Sequence, residues 1–169
     1  MLSDTLRWND HIEYVCNKAS SQIWALRRMM QLGLDWITIL DVYYKEIRSI
    51  LEYGAVIFHS ALTKKQSNAI ENIQKVVLKM LSRHLNLKFT YSEATIYFCT
   101  EQLFSRRLEL CKTFIKRNMK NPRFNYLFEK VNHTHNVRPT TRRIHENQAR
   151  TNRFFSSPLV SLKRLANKM

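Results

Sequence analysis

A chain of 169 residues, 44% of them hydrophobic, is long enough for one domain with a substantial core. Two glycines and three prolines leave little turn chemistry for a β-sandwich or barrel, so the composition favours an all-α fold. Three cysteines without a CxxC pair argue against a disulfide framework or a zinc knuckle and favour an intracellular protein, cytoplasmic or nuclear. Because no apolar run approaches about 18 residues, no membrane span is predicted.

The formal net charge of +15 lies almost entirely after residue 60. Residues 1–60 carry six Lys/Arg against seven Asp/Glu, whereas residues 61–169 carry twenty-two against six. Such a surface attracts polyanions, either nucleic acid or an acidic membrane. Helices that lie on membranes place Trp or Phe beside Lys on an exposed apolar face, whereas the aromatic residues here lie mainly within predicted core stripes. Nucleic acid is therefore the predicted partner, and no membrane is.

Five helices are predicted from apolar residues that recur every three or four positions. In chain order they cover Trp8 to Met30, the residues after Asp35 as far as Phe58, those after Thr63 as far as Leu85, Tyr91 to Cys99, and those after Thr100 to Pro122 at the latest. The residues placed to cap or close them are Ser3 or Asp4, Gly33, Asp35, Thr63, Thr90 with Glu93, and Thr100. The second helix is the most apolar, so it is predicted to be central, with Gly54 allowing close approach of a neighbour.

The predicted fold is a helical bundle over residues 1–130, followed by an extended basic arm over residues 131–169. A further turn or two of helix is predicted around Phe124 to Phe128. Residues 130–169 carry nine Lys/Arg and one acidic residue, and no helical stripe is sustained before Leu159. The arm is therefore expected to be partly disordered on its own.

Two helices carry cations at every fourth position, which places them along one edge of each helix. The resulting nucleic-acid-binding residues are Lys75, Lys79 and Arg83 on the third helix, Arg106, Lys112, Lys116, Arg117 and Lys120 on or beside the fifth, and Arg142, Arg143, Arg150 and Arg153 in the arm. Since like charges four residues apart destabilise a helix, an anionic partner would relieve that cost. The alternative is a solvated face that only aids solubility.

Arg107 falls within the apolar arc of the fifth helix, where an unpaired guanidinium is costly to bury. It is predicted to be a structural buried charge with a carboxylate partner, for which Glu46, Glu52 and Glu93 are the candidates.

No catalytic residue, metal site or cofactor is predicted. Two-metal chemistry needs clustered carboxylates, whereas Asp35 is placed as a cap, and Asp41 with Lys45 and Glu71 with Lys75 are placed as i,i+4 pairs. The HxH of residues 133–135 has no third ligand nearby. The chain is therefore not predicted to be an enzyme on its own.

An ordered series of segments resembles the region after the polymerase palm in reverse transcriptases of jockey-like non-LTR retrotransposons. The segments are LRWNDHI (6–12), KA (18–19), IRSILEYG (47–54), IENIQK (70–75), YSEA (91–94), Leu103 with RRL (106–108), RTNRF (150–154), SPL (157–159) and RLAN (164–167). Their order and spacing agree with that family over nearly the whole chain.

The resemblance implies a helical thumb and the region beyond it, in a protein whose whole is an endonuclease joined to an RNA-directed DNA polymerase. The thumb would hold the template and primer duplex against the palm of the same polypeptide. The tyrosine-x-aspartate-aspartate motif would lie upstream of Met1, so a non-catalytic C-terminal fragment is expected. The alternatives are a structural or protein-interaction helical domain without a nucleic-acid role, and an active polymerase only as part of a longer chain.

Overall fold

The computed structural model describes residues 8–128, 144–146 and 148–169, and in those ranges the chain is all-α, as predicted. The α-helices are α1 (Asn9–Gln31), α2 (Trp36–Val42), α3 (Ser49–Glu52), α4 (Ala55–Phe58), α5 (Lys64–His84), α6 (Tyr91–Tyr97), α7 (Leu103–Asn118), α8 (Asn152–Phe155) and α9 (Pro158–Lys168). A π-helical segment, Tyr43–Arg48, joins α2 to α3, and single 3₁₀ turns occur at His59–Ala61 and Asn125–Phe128.

The chain forms two compact units. Unit 1 comprises the described residues of Met1–Gly54 and Leu62–Arg106, and unit 2 those of Ala55–Ala61 and Arg107–Met169. This division differs from the predicted boundary at residue 130, because the described residues after 143 belong to the same unit as most of α7.

In unit 1, α1 packs against α5 and against the helical run from α2 to α3. Its buried residues, from Ile12 to Leu26, recur every three or four positions as predicted. The first turns of α1 and α5 lie side by side, since Gln66 Nε2 donates a hydrogen bond to Asn9 Oδ1 at 2.7 Å. Gly33, at φ +78°, closes α1 as predicted, with its N–H donating to the Met30 carbonyl. The predicted caps at residues 3 and 4 lie outside the described residues.

The predicted second helix is shorter in the structure. It begins after the Asp35 cap, whose carboxylate accepts from the Thr38 N–H at 3.0 Å, and it runs without a break through α2, the π-helical segment and α3. It ends at Glu52 instead of Phe58, because Gly54 adopts a positive φ of 72° that no α-helix accommodates. Gly54 thus serves as a turn residue between α3 and α4.

Capping chemistry defines the next two helices. Thr63 and Gln66 form a reciprocal capping box at the start of α5, and Thr90 with Glu93 forms another at α6, as predicted for Thr63, Thr90 and Glu93. The Thr90 contacts lower the pKa of the Glu93 carboxyl because they favour its charged form.

The predicted Thr100 cap of the fifth helix is wrong. The Thr100 hydroxyl is buried and lies 2.8 Å from the Tyr44 hydroxyl, while α7 begins at Leu103. The first backbone N–H groups of α7, those of Leu103 and Phe104, donate instead to the carboxylate of Glu71, each at 3.2 Å. A side chain distant in sequence therefore caps α7.

The core of unit 2 includes residues that were predicted to belong to the arm. Ile144, Leu162 and Ala166 are buried together with Cys111, Ile115 and Phe128. The extended arm is thus wrong for residues 158–168, which form α9 and contribute its apolar side to this core. Of the predicted stripe Leu159, Leu162 and Leu165, only Leu162 is fully buried, and Val160 and Ala166 complete the buried apolar side of α9. The helix is stabilised because α7 and the 3₁₀ turn at Asn125–Phe128 contribute residues to the same core. Residues 129–143 lie outside the described part of the chain.

Candidate nucleic-acid interface

One face of α5 carries all five of the helix's Lys and Arg residues. We call this set the basic strip: Lys64, Lys65, Lys75, Lys79 and Arg83, all of them exposed. At about 100° per residue the five lie within an arc of about 100°, and at about 1.5 Å rise they extend over ~28 Å. Asn68 and Asn72, also exposed, fall within the same arc. The strip is therefore a continuous polar and cationic surface on a single rigid element.

The opposite side of α5 is buried. Ile70, Val77 and Leu81 are fully buried there, as predicted, whereas Ile73 and Met80 are half-buried. Gln74 is also fully buried, although its amide is polar. The helix is therefore held by its apolar side, which leaves the basic strip facing solvent.

The single acidic residue of α5, Glu71, lies at the edge of the strip at about 100° per residue. Glu71 was predicted to pair with Lys75, and that pairing is wrong. Its carboxylate instead accepts from the first N–H groups of α7 and from the Tyr91 hydroxyl. The Lys75 ammonium lies 5.3 Å from the centre of the Tyr91 ring. Because Glu71 accepts these hydrogen bonds instead, none of the ion pairs among the described residues joins it to a cation of the strip.

A buried polar network, which the apolar pattern did not predict, fixes this arrangement. Tyr43, in the π-helical segment, donates to Gln74 Oε1 at 2.7 Å. The Gln74 amide nitrogen donates to the Tyr91 hydroxyl at 3.0 Å and to the Glu101 carbonyl at 2.9 Å, and the Tyr91 hydroxyl donates to Glu71. Burial raises the pKa values of both tyrosines, so they remain neutral donors. The only sequence signal was a glutamine within a predicted apolar stripe.

The cations predicted on the fifth helix fall into two groups. Lys116, Arg117 and Lys120 are exposed in unit 2. Lys112 is half-buried and donates to Glu109 at 2.5 Å, which lowers the pKa of the Glu109 carboxyl. Lys112 is therefore already engaged by an acidic neighbour, whereas the other three are available to solvent.

Arg106 belongs to unit 1 and is also engaged. Its Nε lies 3.3 Å from Glu52 Oε1, and Arg48 Nε lies at the same distance from that oxygen. Glu52 thus bridges two guanidinium groups and ties the start of α7 to α3. This ion pair gives Arg106 a structural role that sequence reasoning did not anticipate.

Arg107 is fully buried in unit 2, as its position in the apolar arc predicted. Two of the predicted carboxylate partners make other contacts, since Glu52 lies with Arg48 and Arg106 and Glu93 caps α6. The charge of Arg107 nevertheless affects its surroundings. Together with burial it lowers the pKa of His59, so the folded protein favours the neutral imidazole.

The four arm cations are only partly described. Arg150 is exposed, and Arg153 belongs to α8, with its side chain outside the described atoms. Arg142 and Arg143 lie outside the described residues. Of these four side chains, the described atoms therefore place only that of Arg150.

A cavity of about 230 Å³ lies within unit 2, between α4, the turn that follows it, α7 and α9. Its lining includes Cys111, whose pKa burial raises to about 11, and Arg164, whose guanidinium lies over the Phe155 ring. Small-molecule pockets usually occupy roughly 300–1,000 Å³, so this one is small. None of the predicted nucleic-acid-binding residues lines it.

The described residues contain no group of three or more His, Cys, Asp or Glu side chains arranged to hold a metal ion. No helix among them combines the length and the apolar character needed to cross a bilayer. Comparison with family models, with curated proteins and with solved structures gave no match.

Proposed function

We propose that this chain binds the sugar-phosphate backbone of nucleic acid, independently of sequence, and that it is a non-catalytic C-terminal part of a non-LTR retrotransposon reverse transcriptase. The observation that carries the binding proposal is the basic strip of α5. The family assignment is supported by the ordered segments that resemble the region after the palm, and it makes RNA, DNA or hybrid duplex the expected ligand.

The electrostatics of the strip favour a polyanion. Among the described residues, no carboxylate oxygen lies within 4 Å of a side-chain nitrogen of Lys75, Lys79 or Arg83. Each like-charged i,i+4 pair destabilises a helix by about 0.2–0.5 kcal/mol, and this segment contains two in succession. A phosphate chain would remove that repulsion and release its own counterions on binding. Binding is therefore favoured by the loss of repulsion within α5 and by the release of counterions from the nucleic acid.

The composition of the strip explains why no base preference is expected. Lysine is a flexible point charge that suits phosphate, and Asn68 and Asn72 add hydrogen-bond donors of the kind that contact backbone oxygens. Sequence readout instead needs side chains placed against base edges within a groove. The basic strip therefore supports binding and positioning, not recognition of a sequence.

The test is the salt dependence of duplex affinity, measured by fluorescence anisotropy. Neutralisation of five phosphates gives a slope of about −4.5 in log K against log[salt], which is a loss of about 500-fold between about 50 and 200 mM salt. The double variant Lys75→Glu, Lys79→Glu should weaken binding and reduce the slope by about two.

A control variant distinguishes the effect of charge within the strip from the effect of net charge alone. Lys88→Glu with Arg123→Glu changes the net charge equally at two exposed sites outside the strip. Its slope should remain close to that of the parent protein. A flat salt response of the parent protein, or equal losses in the two double variants, would contradict the proposal.

The ion pairs of Arg106 and Lys112 favour a second candidate, a structural or protein-interaction domain whose cations serve internal contacts. In that case charge reversal at Lys75 and Lys79 would leave duplex binding intact while abolishing capture of an acidic protein. Primer extension by this chain alone should yield no product. Magnesium-dependent incorporation of nucleotides would show that the non-catalytic assignment is wrong.

A further inference from the structure

The outer face of α1 exposes aromatic rings where the sequence pattern had placed aromatics mainly in the core. Tyr14 is 59% exposed and Trp24 is 63% exposed. The buried side of α1, centred on Ala19 and Ile23, lies roughly opposite them at about 100° per residue. These two rings are therefore not part of the packing of unit 1.

A cation accompanies each ring one turn later in the helix. The Lys18 ammonium lies 6.0 Å from the centre of the Tyr14 ring, and the Arg28 guanidinium lies 5.4 Å from that of Trp24. Arg28 also donates to Gln31 Oε1 at 3.1 Å, which holds the guanidinium near the indole. We call Tyr14, Lys18, Trp24 and Arg28 the aromatic stripe. Its two ring–cation pairs repeat at an interval of ten residues, about 15 Å along the axis.

From Tyr14 onward the charge along the stripe has one sign, whereas the exposed acids Asp10 and Glu13 precede it in the first turns of α1. From residue 14 to residue 34 the sequence contains Lys18, Arg27 and Arg28 and no Asp or Glu. A ligand that occupies the stripe must therefore present negative charge beside flat apolar faces. Unpaired nucleotides have this combination, because each carries one phosphate and one π-face.

Resting on the proposed function, we infer that the aromatic stripe is a stacking platform for an unpaired strand of nucleic acid, with bases on Tyr14 and Trp24 and phosphates on Lys18 and Arg28. The basic strip of α5 contacts the backbone alone, whereas the stripe contacts bases without reading their edges. Base–aromatic stacking tolerates any sequence because every base has a π-face.

Two other occupants fit the stripe less well. A second copy of this chain would bring Lys18 and Arg28 against the same cations across a twofold contact, which costs energy. A membrane-surface helix buries a continuous apolar face in the lipid, whereas here exposed Lys18 and Ser21 lie between the two rings along the helix and exposed Arg28 lies one turn after Trp24. The alternation of ring and cation therefore favours the single strand.

The experiment compares two strands of equal length and charge. One is an oligothymidylate of about ten nucleotides, and the other is its abasic counterpart, which retains the phosphates and lacks the bases. The parent protein should bind the base-bearing strand more tightly by about 5- to 150-fold for each ring engaged. In Trp24→Ala this preference should fall by that factor, while affinity for the abasic strand stays unchanged.

Two further variants make the test specific. Trp24→Phe should retain most of the preference for the base-bearing strand, because a phenyl ring still stacks. Tyr53→Ala, which removes a ring that is 80% exposed outside α1, should leave it unchanged. Since Trp24 is exposed, its loss should not unfold the protein, and far-UV circular dichroism checks this.

The outcomes distinguish this inference from the proposed function. An equal preference in the parent protein and Trp24→Ala would overturn the stacking platform, even if duplex binding keeps its salt dependence. The platform would also be overturned if Trp24→Ala instead abolished self-association or binding to phosphatidylserine vesicles and left the preference intact. A flat salt response with both strands and with duplex would reject the proposed function itself.

Discussion

Replacement of Glu71 by Ala removes the carboxylate that caps α7. Three donors lose their acceptor, namely the N–H groups of Leu103 and Phe104, each 3.2 Å from a carboxylate oxygen, and the Tyr91 hydroxyl. A hydrogen bond to a charged group contributes about 1.5–3 kcal/mol, and loss of a helix cap costs about 0.5–2 kcal/mol. Because Glu71 is half-buried and water can replace part of this network, we expect the free energy of unfolding of unit 1 to fall by about 2–4 kcal/mol.

The assay is urea denaturation followed by tryptophan fluorescence. All three tryptophans, Trp8, Trp24 and Trp36, belong to unit 1, so the signal reports that unit. Glu71→Gln retains one acceptor oxygen and should lose only about half as much stability. Asn72→Ala, an exposed neighbour on the same helix, should change it by about 0.5 kcal/mol or less. If Glu71→Ala and Asn72→Ala have equal midpoints, the capping role of Glu71 is refuted.

Three other substitutions test separate features. Gly33→Ala should destabilise unit 1 by about 1 kcal/mol in the same assay through its φ of +78° alone, since an added Cβ meets no atom within 4 Å; an unchanged midpoint would contradict the strain. Ile115→Ala should lower the free energy of unfolding by about 2–5 kcal/mol, measured by far-UV circular dichroism. If that loss is no larger than the loss in Met119→Ala, at a partly exposed position, Ile115 does not belong to the unit 2 core. Because the pKa of His59 is lowered from 6.5 in the folded protein, the imidazole of the unfolded chain is protonated first as the pH falls. The free energy of unfolding should therefore decrease below about pH 6.5, and His59→Gln should weaken that dependence. Identical pH profiles of the parent protein and the variant would disprove this role of His59.

The predicted binding residues differ in how well helical spacing alone described them. Lys75, Lys79 and Arg83 are exposed on one face, as their four-residue spacing implied. The same spacing placed Lys112 on an outer edge, yet Glu109 engages it, and Glu52 engages Arg106. Spacing defines the direction of a side chain from its own helix. It does not define which neighbouring element occupies that direction.

The buried network is a second case in which helical spacing does not identify the partner of a side chain. Gln74 interrupts an apolar stripe, so its burial requires a polar partner. Its partners Tyr43 and Tyr91 come from the π-helical segment and from α6. A π-helical segment has no reliable sequence signature, and it alters the direction of side chains within an otherwise regular helix. The network was therefore not predictable, although the need for one was.

Helices α1, α5 and α6 and the caps Asp35, Thr63 and Thr90 could be derived from the amino-acid sequence because periodicity and capping act over about four residues. The cap of α7 by Glu71 joins residues 32 positions apart, and α9 packs on a core that begins with residues of α7. Those contacts exist only once distant segments have been brought together, since no local preference specifies a partner. Tertiary structure alone therefore decided two features. The carboxylate of Glu71 contacts the first turn of α7 instead of a cation of the basic strip, and residues 158–168 form a helix that packs in the core of unit 2.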